Sequence, residues 1–134
     1  RNEVTRLLML VQIRAEQDIP FKFLENILAG LRTSGLVRSQ RGAEGGYWLA
    51  KPADQITVAD IIRAVEGPLA NVRGERPEDL DYPDGNEPLQ ELWVATRASL
   101  RSVLEAVTVA DLAGGELPKA VRRLAEPADA WAKR

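Results

Sequence analysis

The sequence predicts a mainly α fold with a small two-stranded β-wing and one long helix appended to it. Three observations predict this class. Leu24, Ile27, Leu28 and Leu31 recur at i, i+3, i+4 and i+7, the apolar stripe of a helix that docks on a core. Two short strand-like runs follow, Leu36-Val37-Arg38 and Tyr47-Trp48-Leu49, flanking the glycine-rich stretch from Gln40 to Gly46, which reads as a hairpin tip. Further on, Leu89, Leu92, Trp93, Thr96, Leu100, Val103 and Val107 form an apolar seam along a helix expected over residues 88–107.

Composition narrows the function classes. The chain has 134 residues, 45% apolar and 28% charged, which suits a globular domain long enough to bury a core. No apolar run approaches the roughly 18 residues of a membrane span and no secretory signal pattern opens the sequence, so no membrane partner is expected and the cytoplasm is the default compartment. The lack of cysteine and histidine removes disulfides, thiolate clusters, most zinc sites, and catalysis through a Cys nucleophile or a His base. No constellation of acid, base and nucleophile is visible, so an enzyme is not expected, and neither cofactor nor metal is assigned. Net charge is −2 but unevenly spread, +3 over residues 1–51 and −5 over 52–134. The basic part is the one that holds the helix and hairpin.

In chain order, Val4, Leu7, Leu8 and Val11 form a helical stripe, and Gln12 to Gln17 also read as helix with no turn residue between them. Asp18-Ile19-Pro20 is a turn into the next helix, with Pro20 suited to the first helical position, where its missing N–H costs nothing. On that helix Lys22, Asn26, Ala29 and Thr33 fall opposite the apolar stripe, with Glu25 beside them. Phe21 and Phe23 flank the stripe and are expected to pack. Ser34-Gly35 ends the helix, since glycine takes a left-handed stop without penalty. In the hairpin Tyr47 and Leu49 share one face and Trp48 takes the other, while Arg41 stands at the tip. A helix with a free polar face, then a hairpin with a cation at its tip, is the layout of a winged helix-turn-helix. The helix would enter the major groove of double-stranded DNA and the wing would reach the backbone or minor groove.

Five motifs carry a resemblance: Ile19-Pro20; Leu24-Glu25-x-Ile27-Leu28; Gly35-Leu36-Val37-x-Ser39; Arg41-Gly42-x-x-Gly45-Gly46-Tyr47-x-Leu49; and Ile61-x-x-Ala64-Val65-Glu66-Gly67-Pro68. Over about residues 12 to 70 the chain resembles the Rrf-type family of bacterial winged-helix regulators, which includes the iron–sulfur cluster regulator, the nitric-oxide-sensing repressor and the cysteine-metabolism repressor. The resemblance implies a DNA-binding transcription regulator, with DNA contact through Lys22, Glu25 and Asn26 on the helix and Ser39, Gln40, Arg41 and Gly42 on the wing. These residue types suit the task. Lysine reaches phosphate or guanine, asparagine pairs with adenine, glutamate accepts from cytosine N4, and arginine fits phosphate or a narrow minor groove. In the family two helices with a loop between them precede this unit, so residues are expected to be missing before Arg1 and between about Val11 and Gln12. Cluster-binding members hold an iron–sulfur cluster through three cysteines in the region matching residues 71–87. With none, this chain resembles the cysteine-less branch, exemplified by the cysteine-metabolism repressor, which is controlled through a protein partner.

Residues 1–70 are therefore expected to be the winged helix-turn-helix DNA-binding domain, 71–87 a polar, acidic loop, and 88–134 a dimerisation helix with a C-terminal segment. Thr57 should cap a helix with Asp60 in its first turn, Ile61, Ile62 and Val65 facing the core, and Gly67-Pro68 as its stop. The same Thr-Val-Ala-Asp recurs at 108–111 without making a repeat. The loop carries Glu75, Glu78, Asp79, Asp81, Asp84 and Glu87; its Asp79-x-Asp81-x-x-Asp84-Gly85 approaches a calcium loop, but the spacing is one residue off and Pro83 interrupts it. The seam Leu89, Leu92, Trp93, Thr96, Leu100, Val103 and Val107 must bury itself somewhere, and in the family the matching helix makes the dimer. A two-fold homodimer suits a palindromic operator. Pro118 should open a short helix to about Ala125, and Pro127 a charged tail ending in Trp131. The expected function is a sequence-specific, dimeric regulator acting as a repressor, under a protein partner or a small-molecule effector. The alternative is a winged-helix interaction module whose acidic loop or long helix docks a partner protein.

Overall fold

The computed structural model describes residues 6–7, 19–41, 46–71 and 74–133. The chain forms two compact units, Arg1–Ile56 and Thr57–Arg134.

In the first unit, strand β1 (Arg6–Leu7) and helix α1 (Phe21–Thr33) are followed by strands β2 (Val37–Gln40) and β3 (Gly46–Leu49). Pro20 has an extended ψ of 132°, which puts it just outside α1 as its cap rather than at the first helical position; its carbonyl accepts from Leu24 N–H at 3.0 Å. The expected stop at Gly35 is present in full. With Gly35 at φ +78°, its N–H bonds Arg32 O at 3.0 Å and Leu36 N–H bonds Leu31 O at 2.9 Å, so two otherwise orphaned carbonyls are satisfied. A Cβ on Gly35 would meet nothing within 4 Å, so the requirement there is conformational and not one of space. Leu24, Leu28, Leu36 and Val37 are buried between α1 and the hairpin. Each is worth about 1.5–3 kcal/mol of apolar burial. The two phenylalanines depart from expectation: Phe21 is exposed and Phe23 is 60% exposed. At about 100° per residue Phe23 sits well round the helix from Leu24, beyond the reach of the core that Leu24 and Leu28 fill.

The sheet order is β1-β3-β2, antiparallel throughout, with Val37 opposite Leu49, Ser39 opposite Tyr47 and Gln40 opposite Gly46. The two-stranded wing thus gains a third strand. Arg6 pairs with Trp48 and Leu7 with Tyr47, which overturns the helical stripe expected over Val4–Val11 at these two positions. An open edge on β3 leaves backbone groups without partners, and β1 pairs with the two central residues of that edge. The rest of that stripe, the helix expected over Gln12–Gln17 and the expected chain gaps lie outside the described residues.

The second unit holds helices α2 (Val58–Glu66), α3 (Glu87–Leu104), α4 (Val109–Gly114) and α5 (Lys119–Ala125), with short 3-10 turns at Pro77–Asp79 and Ala128–Trp131. Thr57 and Asp60 form a reciprocal cap. The Thr57 hydroxyl accepts from Asp60 N–H at 3.0 Å, and the Asp60 carboxylate accepts from Thr57 N–H at 3.0 Å. Thr108 and Asp111 repeat this at 3.1 and 2.9 Å. The two Thr-Val-Ala-Asp segments also meet. Thr57 and Thr108 form an antiparallel bridge, and Val58 N–H donates to Val107 O at 2.9 Å. Ala59 and Val107 are buried in this unit. The core contact of α2 therefore lies at its N-terminal end, which leaves Ile61 and Ile62 half-buried and Val65 exposed, against the expectation that all three face inward. Gly67 at φ +89° stops α2 as expected, its N–H on Arg63 O at 3.1 Å.

Candidate nucleic-acid interface

The polar face of α1 is set by the opposite one. Once Leu24 and Leu28 are buried, Lys22, Glu25, Asn26, Ala29 and Arg32 share the other side of the helix. With Tyr47 of β3 they line a single concavity of about 300 Å³. Lys22 and Arg32 bring positive charge to the two ends of the helix, Glu25 an acceptor, Asn26 both a donor and an acceptor, and Ala29 a small floor. No side-chain cap bonds the first turn of α1, where Lys22 stands, and a helix N-terminus with a cation beside it favours phosphate.

Sequence reasoning missed two members of this site. Arg32 donates from Nη1 to Ser39 Oγ at 3.3 Å, and Ser39 is the cross-strand partner of Tyr47. One polar contact thus ties the end of α1 to β2 and sets Tyr47 beside the helix. The signal for Arg32 was present in the spacing. It follows Ala29 by three and Glu25 by seven, on the same face as Lys22. Gln40 and Arg41 are exposed at the end of β2 and are not part of the concavity; Gly42 lies outside the described residues.

The residues expected at a dimer contact divide three ways. Leu89, Leu92 and Leu100 are exposed on α3, Leu92 at 56%, while Trp93, Thr96 and Val103 are half-buried. Val107 is no part of the seam, because α3 ends at Leu104 and Val107 is buried, its carbonyl accepting from Val58 N–H. The Thr96 hydroxyl donates to Leu92 O at 2.8 Å, within the helix. The acidic loop is partly committed to structure. Arg97 Nη1 donates to both carboxylate oxygens of Glu78, at 2.5 and 2.8 Å, and this contact, first of all, holds the Glu78 carboxyl below its ordinary range. Glu105 accepts from Arg63 Nη2 at 2.7 Å and from Arg101 Nε at 3.1 Å, and Arg63 followed by Arg101 lowers its pKa in the same way. The tail after α5 folds back, with Trp131 Nε1 donating to Ala125 O at 2.6 Å.

Comparison with known proteins agrees with this architecture. The family profile Rrf2, described as an iron-dependent transcriptional regulator, matches residues 1–115. A protein of Mycobacterium tuberculosis named as an HTH-type transcriptional regulator is 52% identical over 114 residues, which are 85% of this chain and 71% of that one. The HTH-type transcriptional regulator CymR of Bacillus subtilis is 41% identical over 105 residues, 78% of this chain and 70% of its own. Among solved structures, CymR, the global cysteine regulator of B. subtilis, superposes with a TM-score of 0.64 at 36% identity, covering 81% of this chain and 78% of that chain. IscR of T. potens gives 0.60 at 34% identity, covering 81% and 69%. The iron in the family's description does not fit the residues here. An iron–sulfur cluster is held by thiolates, and this sequence has no cysteine or histidine. Among the described residues no group of three acidic side chains is placed to hold a metal ion, and no helix is long and apolar enough to cross a membrane. With a winged helix, a polar face on α1 and relatives that are transcriptional regulators and not enzymes, this chain belongs to the Rrf2 family of helix-turn-helix transcriptional regulators.

Proposed function

We propose that the chain acts as a homodimeric repressor that reads a palindromic operator through α1 and steadies itself on the DNA backbone through the wing. The observation that carries this reading is the concavity in which Lys22, Glu25, Asn26 and Arg32, groups suited to bases and phosphates, share one face of α1 with Ala29, beside Tyr47 of β3. Lys22 and Arg32 take phosphate, Asn26 and Glu25 read base edges, and Arg41 with Ser39, Gln40 and Gly42 contact the backbone or minor groove. The exposed Leu89, Leu92 and Leu100 form the surface that a second copy covers.

Selection of bound fragments from the source genome at two salt concentrations tests the reading. Enrichment of a palindrome that survives the higher salt is expected. Uniform recovery that collapses with salt would mean phosphate attraction alone and would remove sequence reading from the proposal. On the selected site, Asn26→Ala should cost about 1–3 kcal/mol and relax the preference at one base position, whereas Arg41→Ala should weaken all sequences alike and lower the salt slope by about one. Equal losses for Asn26→Ala on operator and random DNA would sink its readout role.

A further inference from the structure

The second unit carries a cationic pocket that the DNA-reading face does not account for. Arg63 from α2, Arg76 before the 3-10 turn, and Arg97 and Arg101 from α3 converge on one concavity of about 420 Å³, with Leu69 in its apolar lining and, among the described residues, Glu78 as its one carboxylate. These four guanidinium groups gather in a unit whose overall charge is the opposite, net −4 over residues 57–134. Like charges brought together repel one another, and nothing in the general composition of the unit calls for it.

The local carboxylates do not use up this charge. Glu78 occupies only Nη1 of Arg97, and Glu105 takes Nη2 of Arg63 and Nε of Arg101. Asp60 stands 3.8 Å from Arg63, already engaged in the cap of α2. The Arg76 side chain makes no ion pair or hydrogen bond among the described residues; its carbonyl accepts from Asp79 N–H at 3.0 Å, and its charge adds a small lowering of the Glu78 pKa. Each guanidinium has five N–H donors in a planar fork, so most of the donors around the pocket remain unused. The salt bridges act as struts. They hold Arg97 and Arg101 in place through one nitrogen each and Arg63 through two, and leave the remaining donors of the forks available.

We propose that this pocket binds a small organic anion with at least two acidic groups, carboxylate or phosphate, and a short apolar body against Leu69. Guanidinium forks match carboxylate and phosphate geometry bidentately, and the volume suits a metabolite rather than a macromolecule. Duplex DNA is a poor occupant, because the unit around the pocket is acidic. The use of the anion as the regulator's signal rests on the DNA-binding reading above; the binding itself does not.

Thermal unfolding of the full chain without DNA tests the proposal, using potassium citrate and potassium phosphate against potassium chloride at equal ionic strength. A ligand that binds only the folded state raises Tm in a saturable way. The expected result is a saturable rise with citrate or phosphate beyond that of chloride, with an apparent affinity reduced about tenfold or more in Arg76→Ala and unchanged in Lys22→Ala. Tighter binding of citrate would assign a polycarboxylate, and tighter binding of phosphate a phosphate ester. The Arg76 side chain has no hydrogen bond or ion pair among the described residues, so its loss should change the unliganded Tm little, and Arg101→Ala serves as a second variant. No rise beyond chloride, or the same rise in both arginine variants, overturns the proposal. A fall in operator affinity on adding the same anion would link the pocket to regulation; anion binding that leaves operator affinity unchanged would overturn its role as a signal while the site stands.

Discussion

At the scale of single residues, most of the chemistry sits on side chains that do two things at once. Arg32 is both a candidate phosphate ligand and the strut that holds Ser39 and, through it, the Tyr47 side of the hairpin. Arg32→Ala should therefore weaken DNA binding more than the loss of one phosphate contact alone, with a small loss of stability, because the hydrogen bond is exposed. Fluorescence anisotropy on operator DNA beside a denaturation curve separates the two. Glu105 joins α2 to α3 through Arg63 and Arg101, which lower its pKa in the folded chain from 4.5. A carboxyl with a depressed folded pKa contributes stability above its unfolded value and loses it as pH falls through the folded one. Glu105→Gln should lower Tm slightly at pH 7, and the difference should shrink as pH falls below the ordinary carboxylate value and through the lowered folded one, as thermal scans across pH would show. A difference that does not shrink on acidification would mean the residue acts through packing and not charge.

At the scale of elements, local chemistry accounts for where helices begin and end. Gly35, Thr57 and Thr108 each do what their residue type and position demand. The two threonine caps are also adjacent through the Thr57–Thr108 bridge, a relation that no short sequence window contains. Thr57→Ala and Thr108→Ala should each cost about 1 kcal/mol, measured by urea denaturation. Because the caps meet, the double variant should depart from additivity by about 0.5 kcal/mol or more. Helix α3 shows the limit of a seam read from periodicity. Its apolar positions are real, but the unit half-buries Trp93, Thr96 and Val103 and leaves Leu89, Leu92 and Leu100 exposed.

At the scale of the whole molecule, that exposed stripe is where a second copy is expected. Leu92→Glu should convert the protein to a monomer in light scattering and weaken operator binding by much more than it weakens binding of a half-site, since a dimer gains from engaging two half-sites. An unchanged mass would place the contact elsewhere. Charge is also organised at this scale. The basic excess lies in the part that holds α1 and the wing, the acidic excess in the remainder, and within the acidic unit four arginines are gathered into one pocket.

The sequence by itself determined the winged-helix class, the polar and apolar faces of α1, the glycine stop, the threonine caps and the absence of any thiolate site. Each of these follows from periodicity, turn chemistry or composition, which act over a few residues. Only the tertiary structure decided that Arg6 and Leu7 pair as a strand, that Arg32 and Tyr47 line one concavity with Lys22, Glu25 and Asn26, and that Val107 belongs to a core. It alone decided that Arg63 reaches Glu105 across 42 positions of sequence. The reason is physical. A helix face or a cap is set by neighbours along the chain, whereas a strand edge, a buried valine or a cluster of guanidinium groups is set by which distant segments the core brings together.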